Sequence, residues 1–79
     1  MVKIGQGIDN KGVFYLVPNA LNGIVCRDWE TAKRIKNLLQ KFKDTNKGIE
    51  IFSYYAFHLC PEEEEDCFKW ALGKLEKML

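Results

Sequence analysis

The chain has 79 residues, of which 47% are hydrophobic and 13% aromatic, with 12 Lys/Arg against 11 Asp/Glu for a net charge of +1. That apolar content excludes a disordered polyelectrolyte, and the length allows one small domain, residues 1–79, with little room for a deep catalytic cleft and the layer that would support it. No apolar run reaches the ~18 residues of a membrane span, and Met1-Val2-Lys3-Ile4-Gly5-Gln6-Gly7 lacks the apolar stretch of a secretory leader, so the expectation is a cytoplasmic protein with no membrane partner.

Val2, Ile4, Gln6 and Ile8 alternate with Lys3, Gly5 and Gly7, the period of two of a half-buried strand. Asp9-Asn10-Lys11-Gly12 is a turn in which glycine takes the left-handed position, and Val13-Phe14-Tyr15-Leu16-Val17 is the returning strand of a hairpin, stopped by Pro18. A second turn at Asn22-Gly23 leads into a short third strand, Ile24-Val25-Cys26. Asp28 is a natural N-cap, and Ala32, Ile35, Leu38, Leu39 and Phe42 form one apolar helical stripe that the polar segment Asp44-Thr45-Asn46-Lys47-Gly48 ends. Ile49 to Leu59 reads as a central strand because it is apolar on both alternating faces. Pro61 suits the first position of a second helix whose opening turns hold Glu62, Glu63, Glu64, Glu65 and Asp66. The expected architecture is α+β: a small, mainly antiparallel sheet of three or four strands with two packed helices, in the order β-β-β-α-β-α.

Charge divides along the chain. Residues 1–47 hold nine Lys/Arg and four Asp/Glu, a net of +5, and residues 48–79 hold three and seven, a net of −4. Such asymmetry points to a charged partner. On the first helix Trp29, Lys33, Lys36, Gln40 and Lys43 follow at i, i+4, i+7, i+11 and i+14, a ridge about 115° from the centre of the apolar stripe. An aromatic ring beside ammonium groups stacks on a base or sugar while the cations neutralise phosphates, so these five are the candidate nucleic-acid-binding residues. Trp70 falls on the polar side of the last helix. With Glu62, Glu63, Glu64, Glu65 and Asp66 it makes a second candidate surface, for a basic protein.

No reactive site emerges. The three cysteines, Cys26, Cys60 and Cys67, are an odd number and read as free, buried thiols in a reducing compartment. His58, Cys60 and Cys67 lack a fourth ligand of matching spacing for zinc. Gly5-Gln6-Gly7 lacks the third glycine and the following helix of a dinucleotide fingerprint. No catalytic residue, cofactor or metal is expected, and the chain reads as a non-enzymatic binding module, monomeric or dimeric through the sheet edge at residues 2–8.

Tyr15-Leu16-Val17, Gly23-Ile24-Val25, Trp29 and Lys33 follow in the order of a known pattern: an aromatic-led strand, a glycine turn, a second strand, then a Trp opening a helix with a Lys soon after. Through them the segment from Phe14 to Phe52 resembles the N-terminal hybrid-binding domain of eukaryotic ribonuclease H and the related caulimovirus viroplasmin domain. The resemblance implies a small sheet with packed helices that grips a duplex or an RNA–DNA hybrid, with Trp29 against a sugar. The family's paired lysines before a Phe are Glu50-Ile51 ahead of Phe52 here, so Trp29 and Lys33 alone carry over. The alternative is a protein-interaction module or inhibitor, of the kind encoded by phages and mobile elements, docking on a nucleic-acid-handling protein through its acidic helix and Trp70.

Overall fold

In a computed structural model describing residues 3–17 and 23–79, the hairpin sits where the turn residues put it, but the alternation of the first strand does not set its buried face: Gly5 and Gly7 are half-buried, and Gln6 and Ile8 are exposed, Ile8 at 80%. Strand β1 (Gly5–Asp9) pairs antiparallel with β2 (Gly12–Val17), in the register Gly5 opposite Leu16 to Asp9 opposite Gly12. Gly12 has φ +112°, a conformation costly for any residue with a Cβ, and the Asp9 carboxylate accepts the Lys11 N–H at 2.9 Å to hold the turn. Strand β3 (Ile24–Cys26) pairs antiparallel with β2, giving the sheet order β1-β2-β3 with β1 on an edge. Val2, Pro18 and Asn22, which the sequence reading used for the first strand and the turns, lie outside the described residues.

Helix α1 (Trp29–Leu39) begins at Asp28, whose carboxylate accepts from the Thr31 N–H at 3.2 Å and the Thr31 hydroxyl at 2.9 Å. Its stripe of Ala32, Ile35, Leu38 and Leu39 is buried and touches both β2 and β3 on one side and two further helices on the other. The helix is shorter than its pattern suggested. It stops at Leu39 because Asp44 caps the next helix, accepting from the Asn46 and Lys47 N–H groups. The segment Asp44 to Gly48 therefore starts a helix where the sequence reading had it end one.

The largest correction follows. Residues 49–59 do not form a fourth strand. They lie in helix α2 (Thr45–Tyr54) and a π-helical turn (Tyr55–Leu59) that continues it. A strand apolar on both faces needs a layer against each, and 79 residues do not supply a second layer. In the helix the buried positions are Gly48, Phe52 and Ala56, spaced by four; Tyr54 and Phe57 turn outward, and Tyr55 is half-buried against the core. Gly48 permits this packing: a Cβ there would stand 2.9 Å from both Leu39 Cδ2 and Phe42 Cδ2.

The second correction concerns Pro61 to Asp66. This run is not helical; it is an exposed loop with one turn, Glu64 N–H to Pro61 O at 3.1 Å. Adjacent glutamates repel along a helical run, and a disulfide between Cys60 and Cys67 ties the ends of the segment together. Helix α3 (Cys67–Met78) starts only after it, with Asp66 as N-cap accepting from the Lys69 N–H at 3.1 Å. The reading of three free thiols is corrected by the same bond: Cys26 alone is free, buried in the core, where desolvation and the nearby Asp28 push its pKa up to about 11.

The class is thus α+β, with a three-stranded antiparallel sheet as expected and three helices in place of two. One core joins Val17, Ile24 and Cys26 of the sheet to Ile35 and Leu39 of α1, Phe52 of α2 and Leu72 and Leu75 of α3. None of the helices in the described residues is long and apolar enough to cross a membrane.

Candidate functional site

The first surface is built on α1. Trp29 is the opening residue of the helix, and its ring stands edge-on to that of Tyr15 with centroids 5.4 Å apart. Tyr15 projects from β2 on the helix side of the sheet, so the hairpin fixes the indole from below while 47% of Trp29 stays open to solvent. Lys33 and Lys36 follow on the same side of the helix, one and two turns on. Lys33 is exposed and Lys36 half-buried.

Gln40 is the C-cap residue, and Lys43 lies in the turn between α1 and α2. The sequence ridge is therefore helical from Trp29 to Lys36 and continues through irregular chain. Lys41 and Lys43, both exposed, extend the basic surface there.

Ion pairing separates the cations into two groups. Arg27 grips Asp9 through two bonds of 2.8 Å, and Arg34 joins α1 to α3 through Glu76 at 2.7 Å. Lys47 and Lys69 face Glu50 and Asp66 at 3.9 and 3.8 Å. Among the described residues Lys33, Lys36, Lys41 and Lys43 have no carboxylate within ion-pair distance. The arginines close structural contacts, and these lysines are left for solvent or a ligand.

The acidic candidates lie elsewhere. Glu62, Glu63, Glu64, Glu65 and Asp66 are exposed on the loop that the disulfide closes, ahead of α3. Trp70 does not stand free beside them. It is half-buried, tilted against Tyr55 with centroids 6.5 Å apart, and Lys74 Nζ lies 5.7 Å from its ring centroid. The Tyr55 hydroxyl in turn donates to Met78 Sδ at 3.4 Å, so Trp70 and Tyr55 knit α3 to the π-helical turn. With Cys60 and Cys67 bonded to each other, their sulfurs do not stand as thiolate ligands beside His58 in this form.

A further surface was hidden by the strand reading of residues 49–59. An open trough of about 490 Å³ runs along the outer side of α2 and the π-helical turn, from Asn46 to His58. Ile49, Ser53, Tyr54 and Phe57 line it, with Glu50 as its charged group. Phe57 is 66% exposed, and its ring meets that of Phe68 on α3 edge-on at 5.7 Å. His58 tilts against Tyr54, centroids 5.6 Å apart. The spacing of four from Gly48 to Phe52 to Ala56, behind Asp44 as a cap, was the sequence signal for this helix.

Comparison with protein-family profiles, with curated proteins and with solved structures finds no match to this chain.

Proposed function

We propose that this chain is a small, non-enzymatic nucleic-acid-binding module that holds the backbone of a duplex or an RNA–DNA hybrid against α1. The observation that supports the reading is the half-exposed Trp29 ring, propped on Tyr15, beside lysines that no carboxylate neutralises. In this reading Trp29 packs on a sugar or terminal base, Lys33 and Lys36 neutralise adjacent phosphates, and Gln40 and Lys43 extend the contact along the strand. The resemblance of the Tyr15 to Lys33 segment to the hybrid-binding domain of ribonuclease H supports the choice of a duplex. The small basic cluster on a nearly neutral chain fits a short footprint rather than bulk coating.

Fluorescence anisotropy with labelled single-stranded DNA, DNA duplex, RNA duplex and RNA–DNA hybrid tests it. The expected result is binding to a duplex or hybrid that weakens with salt, with a slope of about −0.9 per phosphate neutralised on B-DNA. Trp29→Ala is expected to weaken it about tenfold or more, in line with the loss of one stacking contact, and Lys33→Gln or Lys36→Gln to reduce the slope by about one each. Absence of binding to all four at low salt, or binding indifferent to these substitutions in a folded protein, removes the reading.

A further inference from the structure

We propose that a second copy of this chain adds to the free edge of β1, antiparallel and with Gln6 on the two-fold axis, so that two three-stranded sheets join as one continuous sheet. The inference concerns the hairpin and does not rest on the nucleic-acid reading.

The case begins with the backbone. β1 has a neighbouring strand on one side only. Asp9 pairs with Gly12 across the two-residue turn Asn10-Lys11, which makes theirs a hydrogen-bonded pair. Hydrogen-bonded pairs alternate along an antiparallel ladder, so Gly7 with Phe14 and Gly5 with Leu16 are the next two. The N–H and C=O groups of Gln6 and Ile8 therefore point away from β2, and those of Ile4 do so where the register continues. Among the described residues no other backbone group bonds them. The usual protections of an edge are missing from Gly5 to Ile8: no proline, no charged side chain, no bulge in the register, and no helix packed extensively against it.

Symmetry selects the occupant. With Gln6 on the axis, Ile4 stands opposite Ile8 of the second copy, Gln6 opposite its own copy and Ile8 opposite Ile4, and each pair exchanges both N–H···O bonds. An axis at Gly7 would instead set Ile4 against the turn at Asn10. The side chains agree with the register. Gln6 lies opposite Tyr15, so Ile4, Gln6 and Ile8 share the helix side of the sheet. There Ile8 is 80% exposed, while Ile4 is half-buried against the core. Pairing lays each exposed Ile8 beside the Ile4 that borders the other copy's core. At the axis the Gln6 amide carries both a donor and an acceptor, so it bonds to its own copy where a charged residue would repel it. On the outer side Gly5 meets Gly7 of the second copy in the closer, non-hydrogen-bonded positions, with no Cβ to resist the approach. Lys3 falls opposite Asp9 of the second copy, which Arg27 already engages, so the strand ends add little and the backbone groups and isoleucines carry the contact.

Sedimentation equilibrium of the intact protein tests the association, and cysteine cross-linking tests the register. A contact of one short strand from each copy is small, so the mass is expected to climb from 9.2 kDa toward twice that value between about 10 µM and 1 mM. Ile8→Lys, which puts a charge on the edge, and Gln6→Pro, which removes an outward N–H and no bond to β2, are each expected to weaken association about tenfold or more. Under mild oxidation Gln6→Cys is expected to link to its own copy, because the Cα atoms of a hydrogen-bonded pair stand about 5.5 Å apart, within disulfide reach. Ile8→Cys, although more exposed, is expected not to self-link, since four strand positions, about 14 Å, separate it from its copy. Circular dichroism confirms that each variant is folded, and the exposed Ile8→Lys decides the matter if Gln6→Pro loosens the hairpin. A monomer at every concentration, a dimer that folded Ile8→Lys leaves intact, or self-linking of Ile8→Cys as fast as that of Gln6→Cys overturns the proposal. So does a dimer that Phe57→Ser dissociates and Ile8→Lys does not, which would move the contact to α2.

Discussion

Two helices of this domain expose opposite chemistry. The outer face of α1 carries lysines without carboxylate partners around one aromatic ring, and every large aliphatic of that helix is in the core. The outer face of α2 carries aromatics with a single carboxylate, and the acidic loop lies beyond it. The difference does not come from amphipathicity alone, since both helices bury a stripe. It comes from which polar residues are tied down. Arg27 and Arg34 are engaged by Asp9 and Glu76, so the remaining lysines dominate the field over α1. Around α2, Lys47 is drawn to Glu50 at a distance of 3.9 Å, and among the described residues the four glutamates of the loop have no cation within ion-pair distance. A chain of net charge +1 thereby presents two surfaces of opposite sign.

The substitution that breaks both surfaces at once lies at the seam between them. Phe52 is fully buried, packs its ring against Phe68 at 5.5 Å, and carries α2 onto the shared core. Phe52→Ala removes a large side chain from a site that α1, α3 and the π-helical turn cannot all close upon. The expected cost is about 3–5 kcal/mol, a large fraction of the stability of a domain this size. Urea denaturation followed by tryptophan emission measures it. A loss below about 1 kcal/mol would mean that α2 packs less tightly than its burial indicates.

Removing the disulfide separates the acidic loop from the α1 surface. The Cys60–Cys67 bond closes a short loop, a sequence separation of seven, and the chain-entropy account of such a cross-link gives about 2–3 kcal/mol. In Cys60→Ser/Cys67→Ser the thermal midpoint is expected to fall while the sheet and α1 persist. The consequence is specific: nucleic-acid affinity at Trp29 and Lys33 stays within about twofold, because distant sites act independently. A loss of nucleic-acid affinity well beyond twofold would show that the disulfide loop and α1 are one cooperative unit.

The sheet and α1 were legible because each carries a local signal that agrees with its tertiary place. Asp9 to Gly12 is turn chemistry, Asp28 is a cap, and the stripe Ala32–Ile35–Leu39 has one period. The half from Asp44 onward was not legible in the same way. Ile49 to Leu59 is apolar at nearly every position, and a continuous apolar run satisfies both periods. The Asp44 cap and the spacing of four from Gly48 to Phe52 to Ala56 favour the helix, and the fit of Gly48 beneath Leu39 and Phe42, a tertiary contact, fixes it. The acidic run met the rule that favours carboxylates near a helix N-terminus, yet the helix begins at Cys67, capped by Asp66, because the bond to Cys60 constrains the chain before it. A spacing of seven between two cysteines does not announce that bond, and an odd cysteine count argued against it. Of the candidate surfaces, the Trp29–Lys36 ridge was readable from the sequence, and the trough was not, since its residues alternate faces in a strand and share one in a helix.

The smallest expected effect concerns the hairpin end of the sheet and tests whether the arginines are structural. Asp9 accepts two bonds from Arg27 and one from the Lys11 N–H, and these hold its pKa down, from the ordinary 3.8 to about 2. A carboxyl whose pKa is lower folded than unfolded contributes stability that is complete above its unfolded value and is lost as pH falls through the folded one. The window is therefore pH 4 down to about 2. Asp9→Asn keeps the shape and removes the titration, so the difference in thermal midpoint between wild type and variant is expected to be constant above pH 4 and to shrink toward pH 2. The pair is exposed on both sides, at 43% and 42% for its side chains, so water and salt screen it and the difference is expected to be slight. A difference that persists unchanged to pH 2 would mean that Arg27 does not hold Asp9 in solution. Arg27 would then join the unpaired cations, and the division of labour between arginines and lysines would fail at that position.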